Sequence, residues 1–196
     1  MDAHDTSRNV LRRHYVDRRQ ALSPDEHARL SASICTQLRE HFPQLATQRV
    51  AFCWPINKEP DLRPLIESWI EAQKKSGNAG FTALLPVVHT PRSPLGFRAW
   101  TPDCAMVIDS YGIPTPSSGE FITPEVLLIP VNAFDAAGHR IGYGGGYFDR
   151  TLALLGRNVL SIGVGFELAR VDSIHPLAHD VALDAIVSEA GVFRRT

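Results

Sequence analysis

Residues 126–150 read VLLIPVNAFDAAGHRIGYGGGYFDR, and this stretch decides the fold. Val126 to Val131 is the most apolar run of the chain, the mark of a strand buried on both faces. A glycine-dense loop follows, and Tyr147 to Leu155 resumes a helical pattern. Four glycines within five residues (Gly142, Gly144, Gly145, Gly146) expose successive backbone N–H groups and let an anion approach closely. The N-terminus of the next helix adds partial positive charge, and Arg140 and Arg150 bracket the loop as further anion partners. Asp149 fits beside bound phosphates best if it holds a cation. Two standard phosphate loops are excluded. The loop has no Gly-Lys-Ser/Thr, and the sixth position counted from Gly142 is Tyr147, where the dinucleotide fingerprint needs glycine.

Outward from this unit, helices and strands alternate. The spacing predicts a helix from Ser7 to about Gln20. A second starts at Ser23, with Pro24 at its first position and Glu26 completing a capping box. Leu30, Ile34, Leu38 and Phe42 stack on one face until Pro43 ends it. Val50 to Trp54 reads as a strand. Asp61 caps a helix that turns Leu65, Ile66, Trp69 and Ile70 inward and ends at Gly77. Phe81 to Val88 is a strand whose Pro86 belongs at an edge or strand end, with Leu95 to Trp100 pairing beside it. Thr101 to Pro124, rich in proline, reads as a surface excursion. Val159 to Val164 and Ala185 to Ser188 are two more strands. The expected fold is α/β, one domain over residues 1–196, with a mostly parallel sheet flanked by helices and a glycine-rich phosphate loop between a strand and a helix.

Composition agrees. A chain of 196 residues with 44 % apolar and 21 % charged residues can bury a core without crosslinks. Disorder and a disulfide scaffold are excluded, and no apolar run approaches the ~18 residues of a membrane helix. The first residues carry no basic-then-apolar pattern, which makes the cytoplasm the expected location. Cys35, Cys53 and Cys104 form no C-x-x-C pair and read as buried thiols. The net charge of -1 argues against nucleic acid. Seventeen of the 20 basic residues are arginine, and Arg8, Arg12, Arg13, Arg18 and Arg19 fall in the first 20 positions. Such a cluster is ordinarily a solvated helix face, though it is also able to meet phosphate. His175 and His179 stand four apart like a zinc pair, but Pro176 and a missing glutamate argue against one.

The segment from Leu128 to Arg150 resembles the signature of the 5-formyltetrahydrofolate cyclo-ligase (methenyltetrahydrofolate synthetase) family, in which an apolar strand ending in proline leads to Phe-Asp, Gly and Arg-Leu-Gly-Tyr-Gly-Gly-Gly-Tyr-Tyr-Asp-Arg. Here Ile141 replaces the leucine and Phe148 the second tyrosine. Arg8 to Arg12, Trp54-Pro55 with Glu59 and Asp61, Leu85 to Val88, Phe97 to Trp100, Gly112-Ile113 and His179-Asp180 with Asp184 fall in family order. Two positions depart. Thr115 stands where the family carries an acidic residue, and Ala169 where it carries glutamine, so each removes an expected substrate contact.

The resemblance implies an ATP-dependent cyclisation of 5-formyltetrahydrofolate, with or without a polyglutamate tail, to 5,10-methenyltetrahydrofolate through an N5-iminium phosphate, with release of ADP and phosphate. It implies ATP at Arg8, Arg12, Arg140, Gly142, Tyr143, Gly144, Gly145, Gly146, Tyr147 and Phe148. Substrate would meet Trp54, Glu59 and the segment Tyr143 to Tyr147, and Mg²⁺ would sit at Asp149 and Asp180. Neither nucleic acid nor membrane is expected as a partner, and the chain is expected to act as a monomer or weak homo-oligomer. Read alone, Glu59 is a solvated carboxylate beside Lys58, and Trp69 and Trp100 are core residues. The competing function is a non-catalytic folate- or nucleotide-binding regulator of the same fold. An unrelated enzyme on a similar fold is a third reading.

Overall fold

The computed structural model describes residues 3–77, 80–177 and 180–195, with side chains from Arg8 onward. The chain runs α1 (Ala3–Gln20), α2 (Pro24–His41), β1 (Arg49–Ala51), α3 (Arg63–Ser76), β2 (Thr82–Val87) and β3 (Gly96–Ala99). It continues through β4 (Met106–Ile108), β5 (Pro114–Pro116), β6 (Val126–Pro130), β7 (Ala133–Phe134) and β8 (Arg140–Ile141). Helix α4 (Tyr147–Leu155) and strands β9 (Leu160–Val164), β10 (Ala185–Ser188) and β11 (Gly191–Arg194) complete it.

Seven strands form one sheet in the order β11-β10-β9-β6-β1-β2-β3. The five inner strands are parallel, and the edges β3 and β11 run antiparallel to their neighbours. From β1 the chain winds to β2 on one side, then returns to β6 on the other. The carboxyl ends of β1 and β6 therefore flank the point where the winding reverses, which is where open parallel sheets leave a crevice.

Strand β6 shows why the sheet is buried on both sides. Val126 and Leu128 join the core cluster of α2 and α3, with Ile34, Leu38, Leu65, Ile66 and Trp69. Leu127 and Ile129 point to the opposite cluster, where Leu152 of α4 packs and Tyr15 of α1 leans on it. Alternation of period two, applied to a run of apolar residues, fills both layers at once.

The helix ends follow the sequence closely. Ser23 Oγ accepts from the Glu26 amide at 3.2 Å while a Glu26 carboxylate oxygen accepts from the Ser23 amide at 3.1 Å. The Ser23 hydroxyl, which donates to the same carboxylate oxygen at 2.8 Å, and the Ser23 amide hold the exposed Glu26 carboxyl below its ordinary range. Helix α3 ends at Gly77 in the left-handed region, φ 70°, its N–H donating to Gln73 O. Its start differs from expectation: Leu62 is the cap residue, and Asp61, one position earlier, accepts from the Arg63 amide at 3.0 Å. Pro86 lies one residue from the end of β2, opposite Phe97 of the edge strand β3.

Further differences are local. The strand expected over Val50 to Trp54 has ladder pairing only over β1, and Cys53 and Trp54 leave the sheet toward the cleft. The proline-rich excursion contains a hairpin, β4 with β5, and the glycine loop follows the two-residue strand β8 of the β7–β8 hairpin, not β6 directly. Cys35 is buried, whereas Cys53 and Cys104 are only half-buried as residues. Among the described residues no helix is long and apolar enough to cross a membrane.

Candidate functional site

A cleft of about 1110 Å³ opens at the carboxyl ends of the inner strands. Its floor is Cys53 and Trp54 after β1, Pro86 and Val88 after β2, and Ile129 and Pro130 of β6. Its rim is the glycine loop, Arg8 and Arg12 of α1, the β4–β5 hairpin tip and Asp180. Arg8, Arg12, Trp54, Glu59, Arg140, Gly142, Tyr143, Gly144, Gly145, Gly146, Tyr147, Phe148, Asp149 and Asp180 all line it.

The glycine loop is held by its carbonyls. Arg12 Nε donates to Gly142 O at 2.5 Å, and Arg150 Nη2 to Gly145 O at 2.7 Å. Arg150 also stacks its guanidinium 5.0 Å from the Tyr147 ring centre. Among the described residues no protein acceptor takes the amides of Tyr143, Gly144, Gly145 or Gly146. Gly144 and Gly146 adopt φ 88° and 64°, which only glycine adopts freely, whereas Gly145 lies outside that region. A turn that directs carbonyls toward arginines leaves its amides for an anion.

Four charged groups cluster at one end. Arg8 grips Asp180 with both terminal nitrogens, at 2.5 and 3.2 Å. Arg140 is buried and donates to Asp149 Oδ1 at 2.9 Å and to Val181 O at 2.8 Å. Burial pulls the Arg140 guanidinium below its ordinary value, and the Asp149 and Asp180 carboxylates oppose that pull. As a metal site the donor set is hard oxygen. Asp149 commits one oxygen to Arg140 and its side chain is 30 % exposed, so the other oxygen suits an ion beside bound phosphates. Asp180 accepts from Arg8 and, at 2.7 Å, from the Leu177 amide, so a ligand role there requires Arg8 to move. No group of three metal-binding side chains stands among the described residues. His179 of the paired histidines lies outside them.

At the other end Glu59 is 2 % exposed, which overturns its reading as a solvated loop carboxylate. Lys58 does not pair with it; its Nζ donates to the carbonyls of Gln20 and Leu22 at 2.8 and 2.5 Å. Asn57 and Lys58 sit in the left-handed region at φ 48° and 54°, and this tight double turn carries Glu59 inward. The carboxylate accepts from the Ile56 amide at 3.1 Å. Burial pushes its pKa up to about 7, against the lowering effects of that amide, Arg19 and Tyr143. Burial likewise pushes Tyr143 up to about 12 and the Cys53 thiol upward, with Glu59 adding to both. Trp54 is half-buried, edge-on to Trp100 and stacked beneath the Arg63 guanidinium at 4.8 Å. Trp69 and Trp100 are core residues, as expected.

The sequence reading missed the hairpin tip. Asp109 Oδ1 accepts from the amides of Tyr111 and Ile113 at 2.8 and 2.9 Å, and Gly112 follows at φ 77°. This turn places the Tyr111 hydroxyl 2.6 Å from that of Tyr147, across the mouth of the cleft. An Asp and a Gly between two short β-prone runs were the available sign. The two departures also fall differently from expectation, since neither residue lines the cleft. Thr115 donates to Pro86 O at 3.1 Å, and Ala169 is buried in the core.

A parallel sheet opening at its carboxyl edge into a cleft of arginines, glycine amides, buried carboxyls and aromatic rings defines an α/β enzyme built for charged co-substrates. The model of the 5-formyltetrahydrofolate cyclo-ligase family matches residues 4–189, and the chain belongs to that family. Its members are ATP-dependent ligases of folate one-carbon metabolism. The chain is 28 % identical over 183 residues to the 5-formyltetrahydrofolate cyclo-ligase of Escherichia coli K12, covering 90 % of this chain and 97 % of that one. It superposes on the 5,10-methenyltetrahydrofolate synthetase of Aquifex aeolicus with a TM-score of 0.79 at 28 % identity, over 95 % and 92 % of the two chains. The Mycoplasma pneumoniae enzyme of the same name shares the fold, with a TM-score of 0.70 at 24 % identity over 96 % and 99 %.

Proposed function

We propose that this cleft joins ATP to 5-formyltetrahydrofolate and closes the product ring, giving 5,10-methenyltetrahydrofolate, ADP and phosphate. The formamide oxygen attacks the γ-phosphorus and the bond to ADP breaks, leaving an N5-iminium phosphate. N10 then attacks the iminium carbon, the carbon–oxygen bond breaks, phosphate leaves and N10 gives up its proton. No protein nucleophile is needed. Positioning and charge neutralisation supply the catalysis.

ATP phosphates meet the amides of the segment Gly142 to Phe148, with Arg8, Arg12 and Arg140 offsetting charge. Mg²⁺ held at Asp149 and Asp180 would neutralise phosphate charge further. Glu59 accepts hydrogen bonds from the N–H edge of the reduced pterin, Trp54 packs beside it, and Tyr143 to Tyr147 touch both substrates. The observation that carries this reading is one cavity containing both a glycine cradle and a buried carboxyl. Its volume of about 1110 Å³ lies at the top of the ~300–1,000 Å³ usual for small-molecule sites. The working unit is the single domain of residues 1–196, a monomer or weak homo-oligomer in the cytoplasm, and polyglutamylated folates are within its range.

The test is incubation with 5-formyltetrahydrofolate and Mg-ATP while methenyl-folate absorbance is followed. ATP-dependent absorbance with matching ADP release supports the ligase. Tight binding of both ligands without turnover favours the non-catalytic regulator, which family membership does not favour.

A further inference from the structure

Arg19 is 4 % exposed, an unusual setting for a charge that burial penalises heavily. It stands near the C-terminal end of α1, and each guanidinium nitrogen reaches a different element. Nε donates to Asn57 O at 2.9 Å, in the double turn that aims Glu59. Nη1 donates to Asn132 Oδ1 at 3.0 Å, just past β6, and Nη2 to the Tyr143 hydroxyl at 2.9 Å, in the glycine loop. All three acceptors are neutral. The carboxyl that feels its charge is Glu59, on which the Tyr143 hydroxyl also acts.

We propose that Arg19 is the positioning residue of the folate side, fixing Tyr143 and the Asn57 turn together and so keeping the Glu59 carboxyl aimed in the field of a fixed positive charge. This rests on the reading of Glu59 as the pterin acceptor. Five groups face Glu59 from the elements around it. They are Arg19 of α1, the Cys53 thiol beyond β1, the Ile56 amide of its own loop, the Tyr143 hydroxyl, and His27 of α2, whose Nε2 lies 2.8 Å from the Glu59 carbonyl oxygen. Arg19 is the one among them that stays charged across the working pH range. A staple that merely joined α1 to the sheet would need the same hydrogen bonds but would not set the carboxyl's charge.

The experiment is a pH profile of kcat/KM for 5-formyltetrahydrofolate, with KM for ATP and a thermal melt measured alongside. Removing a nearby positive charge raises the pKa of a carboxyl, by roughly one unit. In Arg19→Met the acidic limb therefore moves up by about one pH unit. Folate kcat/KM falls about tenfold below the limb and recovers toward pH 9, a pH dependence that KM for ATP does not share. Arg19→Lys retains the charge and keeps the limb near wild type. An unmoved limb with equal loss for both substrates at every pH overturns the proposal. If Arg19→Met gives no cooperative melt, Tyr143→Phe decides, because it removes the hydroxyl between the two charges. Its limb must also rise, and an unmoved one overturns the proposal. Glu59→Gln separates the two readings. If it leaves the limb and the folate KM untouched, the pterin-acceptor reading fails and the proposal falls with it. If it abolishes the limb while Arg19→Met leaves it in place, the Arg19 proposal alone fails.

Discussion

Arg140 reaches Asp149 across the base of the glycine loop, donating to Oδ1 at 2.9 Å while its other terminal nitrogen holds Val181 O at 2.8 Å. One buried side chain thus joins the strand before the loop, the helix after it and the segment beyond Asp180. The loop is shaped by charge placed beneath it as much as by its glycines.

Arg140→Ala is expected to weaken ATP by about 1.5–3 kcal/mol, the loss of one charge-assisted contact, and to change folate affinity less than twofold. Calorimetric titration with ATP and folate separately checks this. Equal losses for both ligands would place Arg140 outside the phosphate site.

Gly142 is the cleanest probe of the cradle. Nothing lies within 4 Å of a Cβ built there, and its φ is outside the left-handed region. Gly142→Val should leave the melting temperature unchanged and abolish ATP binding by filling the space above the loop. Gly144→Ala should lower stability as well, because its φ of 88° strains any side chain and its Cβ meets Arg12 at 3.2 Å. Retained ATP affinity in Gly142→Val would sink the cradle.

Glu59 makes a stability prediction of unusual sign. Its folded pKa of about 7 lies above the ordinary 4.5, so between those values the folded chain holds more protons than the unfolded one. Stability therefore falls as pH rises through that window, by up to about 3 kcal/mol. Glu59→Gln should melt higher than wild type at pH 8, with the gain vanishing toward pH 4.5, while its folate KM rises. A melt that gains nothing at pH 8 contradicts this.

The carboxylates at the other end predict metal dependence. A chelator should abolish ADP release and added Mg²⁺ should restore it. Asp149→Asn should raise the Mg²⁺ concentration needed for half-maximal rate and also lower the melt, because the buried Arg140 keeps an acceptor there but loses its counter-charge. Full turnover in excess chelator would remove both aspartates from a metal role.

The inner strands and all four α-helices were legible because each writes its own period and ends on the chain. Val126 to Ile129 alternate between two cores, Ser23 and Glu26 cap each other, and Gly77 takes the left-handed turn. The edge strand β11 was not legible, since its half-buried residues carry no apolar run and its pairing depends on β10. The site residues came from the resemblance, whereas their environments came from the fold. Glu59 looks solvated beside Lys58 until α1 places Arg19 over the turn and the glycine loop brings Tyr143, 84 positions later, against it. Such burial is a property of distant segments, which no local pattern records.

The Arg8–Asp180 pair spans 172 positions. Strand β6 also pairs with β1 on the side away from β2 and β3, so the sheet is not laid down in chain order. A nascent chain therefore has its glycine loop and its N-terminal arginines long before the carboxylate that anchors Arg8 has been synthesised. ATP is therefore unable to template the early steps of folding, because the phosphate end of the cleft is completed late. Ligand stabilisation acts on the finished molecule, protecting it against later unfolding without hastening its first assembly.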